Sequence, residues 1–351
     1  MKTISILYLI IVAAFSSTPQ LNTINTLKSE QEITFPSSDP EITLGGTITI
    51  PDMPITGAAV ILSVAGPTDR DGTLGPHRYY KSMADSLAER GIATLRYDSR
   101  GVGQSEGNLL DTDLSKRAGD ACKAVEALKK HLGKNTIKTG FIGMSEGGGI
   151  AMLAAQKCTT VNFNILLSAP IRKGKEALSD QMFRMIEGAA LPEESKSGLK
   201  KELLNFIEIL SGENPAAKRN QIEAVLSGLY GSIILPAYQF VPQTLEGRVD
   251  FVLSPWYQSQ LHYDITEAVQ ESNYPILAIY GDLDFVIVPK LNAILLNELR
   301  PDAEVEIKKG LNHLLQKAKT GAPTEYALLP DAVAKNVTDQ VATWVHTINL
   351  D

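Results

Sequence analysis

Apolar positions along the chain change rhythm three times. The first rhythm is strand-like: "QEITF" (31–35), "EITLGGTITIP" (41–51) and "AAVILSV" (58–64) follow closely on one another. The second of these alternates and ends at a proline, the pattern of an antiparallel strand with one face to solvent. The third is continuously apolar, as in a strand covered on both faces. Short apolar runs and helical periods then take turns. A helix near 78–90 precedes "ATLRYD" (93–98), one near 113–131 precedes "IKTGFIG" (137–143), and one rich in glycine and alanine, 146–157, precedes "VNFNILLSA" (161–169). This alternation predicts parallel strands with helices on both faces.

From 171 to 273 the periodicity is helical only, as in "SKSGLKKELLNFIEILSG" and "RNQIEAVLSGLYGSI". The strand series resumes with "YPILAIYG" (274–281), a helix near 291–299, "EVEIKK" (304–309) and an amphipathic helix over 331–349. The pattern predicts an α/β core in two parts, 31–170 and 274–351, interrupted by a helical lid or cap. A structureless loop of that length is rare in a compact domain.

The amino terminus reads differently. Lys2 precedes an apolar run from Ile4 to Phe15, followed by Ser16-Ser17-Thr18. This is the layout of a signal peptide over 1–16, with Ala14 and Ser16 at the −3 and −1 positions, followed by a polar linker, 17–30. A run of this length falls short of the ~20 residues that span a bilayer. The expectation is a periplasmic or secreted protein with no stable membrane span once the signal is removed.

Composition narrows the partners. A hydrophobic fraction of 44% and a charged fraction of 21% exclude wholesale disorder. The net charge is −7 and the lysines and arginines are scattered, which argues against nucleic acid or an anionic membrane surface. Cys122 and Cys158 are the two cysteines. Two buried free thiols are expected, with one bridge as the alternative if their helices are neighbours. No Cys/His cluster has zinc spacing, so no metal and no organic cofactor is expected.

The chemistry centres on "GFIGMSEGGGI" (140–150). Ser145 follows a predicted buried strand and opens a helix, flanked by Gly143 and Gly147. A turn this sharp leaves no room for side chains beside the serine, and it presents the hydroxyl at the carboxyl end of the sheet. The helix amino terminus beneath it favours developing negative charge. Ser145 is therefore read as a nucleophile rather than a serine in a tight turn.

A serine nucleophile needs a base, and the base needs an acid to orient it. His313, in "GLNHLLQ" just after the last strand, is the base by position. His77, His131 and His262 come too early, and His346 lies in the final helix. The acid follows "PILAIYG", where "GDLDFVIVP" offers Asp282 and Asp284. Asp284 is preferred because it has cleared the strand end, whereas Asp282 is placed to hold turn amides. An oxyanion hole takes two backbone amides. Glu146 supplies one, and the loop Ala65-Gly66-Pro67-Thr68 supplies the other. Pro67 has no amide hydrogen, which leaves Gly66, preferred for its close approach, or Thr68. Asp69-Arg70-Asp71 beyond it reads equally as a loop brace or a solvated turn. Trp256 and Tyr257 read equally as a substrate pocket or as packing.

Together these segments resemble the α/β-hydrolase fold over essentially the whole chain after the signal peptide. "GMSEG", "GDLDFVIVP" and "GLNH" are similar to that family's nucleophile, acid and histidine motifs, and "YDSRGVGQSEG" (97–107) to its usually structural D-x-R-G-x-G-x-S loop. "GPTDRDG", "SPWY" and "NHLLQ" resemble a secreted bacterial subgroup of esterases and serine aminopeptidase-like hydrolases. Met144 stands where that subgroup often has histidine, and A-G-P replaces the common His-Gly oxyanion motif. The resemblance implies a mostly parallel sheet, a triad of Ser145, Asp284 and His313, and an acyl-enzyme mechanism. The resulting expectation is a carboxylesterase acting on small or medium acyl esters, with oligomeric state left open. The rivals are an aminopeptidase of short peptides, for which Glu187, Glu193 or Glu194 would hold the free amine, and a non-catalytic binding protein on the same fold.

Overall fold

The protein is described by a computed structural model covering residues 28–133, 136–158, 160–228 and 241–348. The expected signal peptide, 1–16, and linker residues 17–27 lie outside the described residues. Eight strands form one sheet: β1 (Lys28–Pro36), β2 (Thr43–Pro51), β3 (Gly57–Leu62), β4 (Ile92–Tyr97), β5 (Thr139–Met144), β6 (Phe163–Leu167), β7 (Ile276–Gly281) and β8 (Glu304–Lys308). Their spatial order is β1-β2-β4-β3-β5-β6-β7-β8. β1 and β2 are antiparallel, and the pairs from β4 to β8 are parallel.

The continuous apolar run of β3 is explained by two cores. Ala58, Val60 and Leu62 face one side, where α2 (Leu114–Leu132), α3 (Glu146–Lys157) and α10 (Pro289–Leu299) pack, while Ala59 and Ile61 face α1 (Tyr79–Ala88) and α11 (Lys335–Thr347). Period-two alternation thus sends aliphatic side chains both ways, and neither face reaches water. Asp113 caps α2, accepting the amide of Lys116, and Gly133 closes it with φ 62°.

Between β6 and β7 the chain leaves the sheet. It forms α4 (Gly174–Gly188), α5 (Glu193–Ser211), α6 (Arg219–Ser227), α7 (Leu245–Leu253), α8 (Pro255–Leu261) and α9 (Thr266–Gln270). Leu199, Leu203, Phe206, Ile222, Val249 and Trp256 give this helical insertion a core of its own.

Three expectations are corrected. β1 starts at Lys28, inside the expected linker, because Glu30 pairs with both Lys81 and Arg96 and so anchors the strand's first turn of pairing. β2 does not face solvent: its threonines turn inward to arginines, with Thr47 Oγ1 accepting from Arg70 and Thr49 Oγ1 from Arg96. Hydroxyls that read as solvent-facing satisfy buried guanidinium groups instead. Cys122 and Cys158 are not free thiols but form a disulfide joining α2 to the end of α3.

Asp69-Arg70-Asp71 proves to be a brace. Arg70 forms an ion pair with Asp98 at 2.6 Å, the Arg70 amide also donates to Asp98, and Asp71 pairs with Arg96. Burial pushes the Asp98 carboxyl up, but the Arg70 guanidinium and the amides of Gln104 and Arg70 outweigh it and hold the group below the usual carboxylate range. A depressed folded-state pKa contributes stability that is complete above the unfolded value, near 4, and is lost as pH falls through the folded value. Asp98→Asn is expected to be less stable at pH 7 and to lose less further stability than the wild type below pH 4, read as urea midpoints against pH. The disulfide closes a loop of sequence separation 36. Cys122→Ser with Cys158→Ser is expected to lower unfolding stability by about 3 kcal/mol, measured by urea denaturation.

Candidate active site

The turn from β5 to α3 is built by contact distances that only glycine permits. A Cβ on Gly143 would sit 2.2 Å from the carbonyl oxygen of Gly147, and one on Gly147 would sit 2.4 Å from that of Leu62. Both obstacles are backbone. Ser145, between them, has φ 53° and ψ −121°, a conformation that costs a non-glycine residue of order 1–3 kcal/mol. Its amide is tied to Leu167 O on β6 at 2.8 Å, which holds the strained residue in place. The serine is 9% exposed, at the floor of a cavity.

Asp284 and His313 are brought together as expected. His313 Nδ1 lies 2.8 Å from Asp284 Oδ2, and the other carboxylate oxygen accepts the amides of Val286 and Ile287. Asp284 is fully buried. With Nδ1 donating to the carboxylate, the ring's Nε2 is left as the acceptor. Asp282 does the other job: its Oδ1 accepts the amide of Gly310 and closes the turn beneath the histidine loop. The three segments that carry Ser145, Asp284 and His313 follow the parallel strands β5, β7 and β8, so all leave the sheet at its carboxyl end. Ser145 Oγ makes no hydrogen bond to His313 here. Such contacts are often long before substrate binds and tighten in the complex.

Among the described residues, no hydrogen bond occupies the amides of Glu146, Ala65 or Gly66. Gly66 is buried with φ 100° and turns the loop, while Ala65 beside it is the residue that lines the cavity with Ser145. The loop is fixed by Tyr80, whose hydroxyl accepts the amide of Val64 at 2.8 Å.

The cavity measures about 180 Å³. Trp256 and Tyr257 line it, and Phe251 packs against both, tilted on Trp256 and edge-on to Tyr257. Leu178, Leu261, Val286 and Ile287 complete an apolar wall. Among the described residues one carboxylate lines the cavity, that of Glu146, and both its oxygens are taken: Arg117 pairs with one and Gln260 donates to the other. The sequence reading used only the backbone of Glu146 and missed Arg117 and Gln260. A signal existed for Gln260, which lies one helical turn after Trp256 and so on the same face of α8.

Solved structures share this fold. The Pyrococcus furiosus esterase Pf2001 superposes with a TM-score of 0.53 at 15% identity, covering 91% of this chain and 90% of that one. The α/β hydrolase GrgF from Penicillium gives 0.54 at 20% identity, over 90% of this chain and 98% of that one. This is the α/β-hydrolase fold. A family described as serine aminopeptidase, S33, matches residues 74–201. Esterase EstD of Thermotoga maritima is 27% identical over 311 residues, which is 86% of this chain, and the chain spans 65% of that protein's length.

The glycine geometry predicts a graded pair. Gly147→Ala is expected to destabilise the protein by about 1–3 kcal/mol and to slow labelling of Ser145 by a fluorophosphonate at least tenfold. Gly198→Ala, in α5 with nothing within 4 Å of the added Cβ, is expected to leave labelling unchanged. Thermal unfolding and timed labelling of the two variants check this.

Proposed function

We propose that the protein is a serine hydrolase that cleaves carboxylic esters of small or medium acyl chains. The observation that carries the reading is the Asp284–His313 hydrogen bond at the same sheet end as a strained, glycine-flanked Ser145. His313 Nε2 takes the Ser145 proton as Oγ attacks the ester carbonyl. The oxyanion is held by the amide of Glu146 and by an amide of the Ala65-Gly66 loop, with the amino terminus of α3 adding its dipole. His313 then hands its proton to the leaving alcohol, and the acyl group stays on Ser145. Water, deprotonated by the same histidine, attacks the acyl-enzyme; the bond to Oγ breaks, His313 returns the proton to Ser145 Oγ, and the acid leaves. Asp284 keeps the imidazole in one tautomer and offsets its positive charge.

The cavity's electrostatics favour the ester over the aminopeptidase reading. An α-ammonium group needs an unpaired carboxylate, and the one that lines the cavity among the described residues is already neutralised by Arg117. Glu187 and Glu193 are exposed and paired with Lys200 and Lys196, Glu194 is exposed, and none of the three lines the cavity. A mainly apolar cavity of this size suits a short acyl chain. The helical insertion acts as the lid over it. Export to an oxidising compartment is supported by the disulfide, since such bonds persist outside the cytosol; the apolar run from Ile4 to Phe15 is read as its signal.

On p-nitrophenyl butyrate, Ser145→Ala and His313→Ala are each expected to lower kcat by at least ~10³-fold, and Asp284→Asn by roughly 10³–10⁴-fold. Aminoacyl p-nitroanilides are expected to be turned over negligibly. Amide turnover confined to free-amino substrates would replace the esterase reading with the peptidase. Equal ester rates in the wild type and Ser145→Ala would overturn the hydrolase reading.

A further inference from the structure

Glu146 follows the nucleophile directly, and its side chain is 4% exposed. A buried carboxylate costs several kcal/mol unless it is paired and hydrogen-bonded. Here the two partners come from different parts of the fold. Arg117, on α2, grips Oε2, and Gln260, on α8 of the helical insertion, donates to Oε1. The Gln260 contact spans 114 residues of sequence and is a direct polar link from the insertion to the turn that carries Ser145.

α8 is a fixed strut. Its Trp256 amide donates to Leu110 O at 3.0 Å, and Ser259 Oγ accepts the amide of Leu114 at the start of α2. Just beyond the helix, Tyr263 Oη donates to Pro170 O at 2.8 Å. The segment is therefore docked on the core along its length, and Gln260 reaches Glu146 from a rigid base. The Glu146 peptide needs such a hold. It begins α3, so its amide has no partner within the helix, and the preceding residue is strained.

We propose that Gln260 and Arg117 are positioning residues: by holding the two carboxylate oxygens of Glu146 from opposite sides, they aim the Glu146 amide at the oxyanion and make docking of α8 a condition of turnover. This rests on the serine-hydrolase reading above. Donors worth catalysis must already point at the position the oxyanion takes, and a misplacement of about 1 Å costs up to ~10²-fold. The Glu146 clamp sets that direction without touching substrate chemistry.

The test compares Gln260→Leu, Glu146→Ala and the double variant with the wild type on p-nitrophenyl butyrate, with thermal unfolding of each. An alkylboronic acid serves as a tetrahedral transition-state analogue. Gln260→Leu is expected to lower kcat about tenfold with KM within twofold, and to weaken boronic acid inhibition by the same factor. In the Glu146→Ala background the Gln260→Leu change is expected to do nothing more. Arg117→Ala leaves a buried carboxylate uncompensated and is unsuited as the sole test, which is why the neutral, half-buried Gln260 leads. Unchanged kcat in Gln260→Leu, equal losses in both backgrounds, or a fall in kcat accompanied by a matching loss of unfolding temperature would overturn the clamp while leaving the esterase intact. Wild-type turnover that survives Ser145→Ala would overturn the parent reading and the clamp with it.

Discussion

A single backbone conformation governs the site. Ser145 sits at positive φ because the chain must leave β5 and enter α3 without the space a normal loop would use. That strain persists only where the surroundings over-determine it. Here the surroundings are the carbonyl of Leu62 pressed against Gly147, the carbonyl of Gly147 against Gly143, and the Ser145 amide held by β6. Every other functional group is placed relative to this corner. The adjacent strands β6, β7 and β8 deliver Asp284 and His313 to the same sheet end, and β3 delivers the Ala65-Gly66 loop on the other side.

Around that corner the charges are arranged to cancel. Glu146, on the cavity wall, and Arg117 neutralise one another, and behind the Ala65-Gly66 loop Arg70 pairs with Asp98 and Asp71 with Arg96. The wall of the cavity is mainly apolar, and among the described residues the one carboxylate on it, that of Glu146, is paired with Arg117. Under the proposed mechanism, such a wall has no strong preference for a charged ground state, and the amides of Glu146 and the Ala65-Gly66 loop would act as charge develops on the carbonyl oxygen.

Much of this was readable in the residues. Buried strands announced themselves as continuous apolar runs in β3, β5 and β7, and α3 spans the residues its pattern indicated. The choice of Asp284 over Asp282 followed from distance beyond a strand end, and both side chains lie where that reasoning puts them. What was not legible depends on contacts between distant segments. The threonines of β2 looked solvent-facing because nothing local shows that Arg70 and Arg96 fold inward to meet them. Pairing of Cys122 with Cys158 depends on how α2 crosses α3, and spacing along the chain does not encode that. Gln260 and Arg117 went unremarked in the sequence, because only the fold brings α8 and α2 together at the carboxylate of Glu146.

The disulfide and the Arg117–Glu146 pair act on the same helix from opposite ends. α2 holds α3 through an ion pair at its first residue and through a covalent bond at the residue after its last. Twelve residues, about 18 Å, lie between the two fastenings. A girder bolted at both ends holds Ser145, at its head, against the core. The other wall of the cavity comes from the insertion, where α4 and α7 contribute Leu178 and Phe251. The cavity thus lies between a wall riveted to the sheet and a wall borrowed from the insertion.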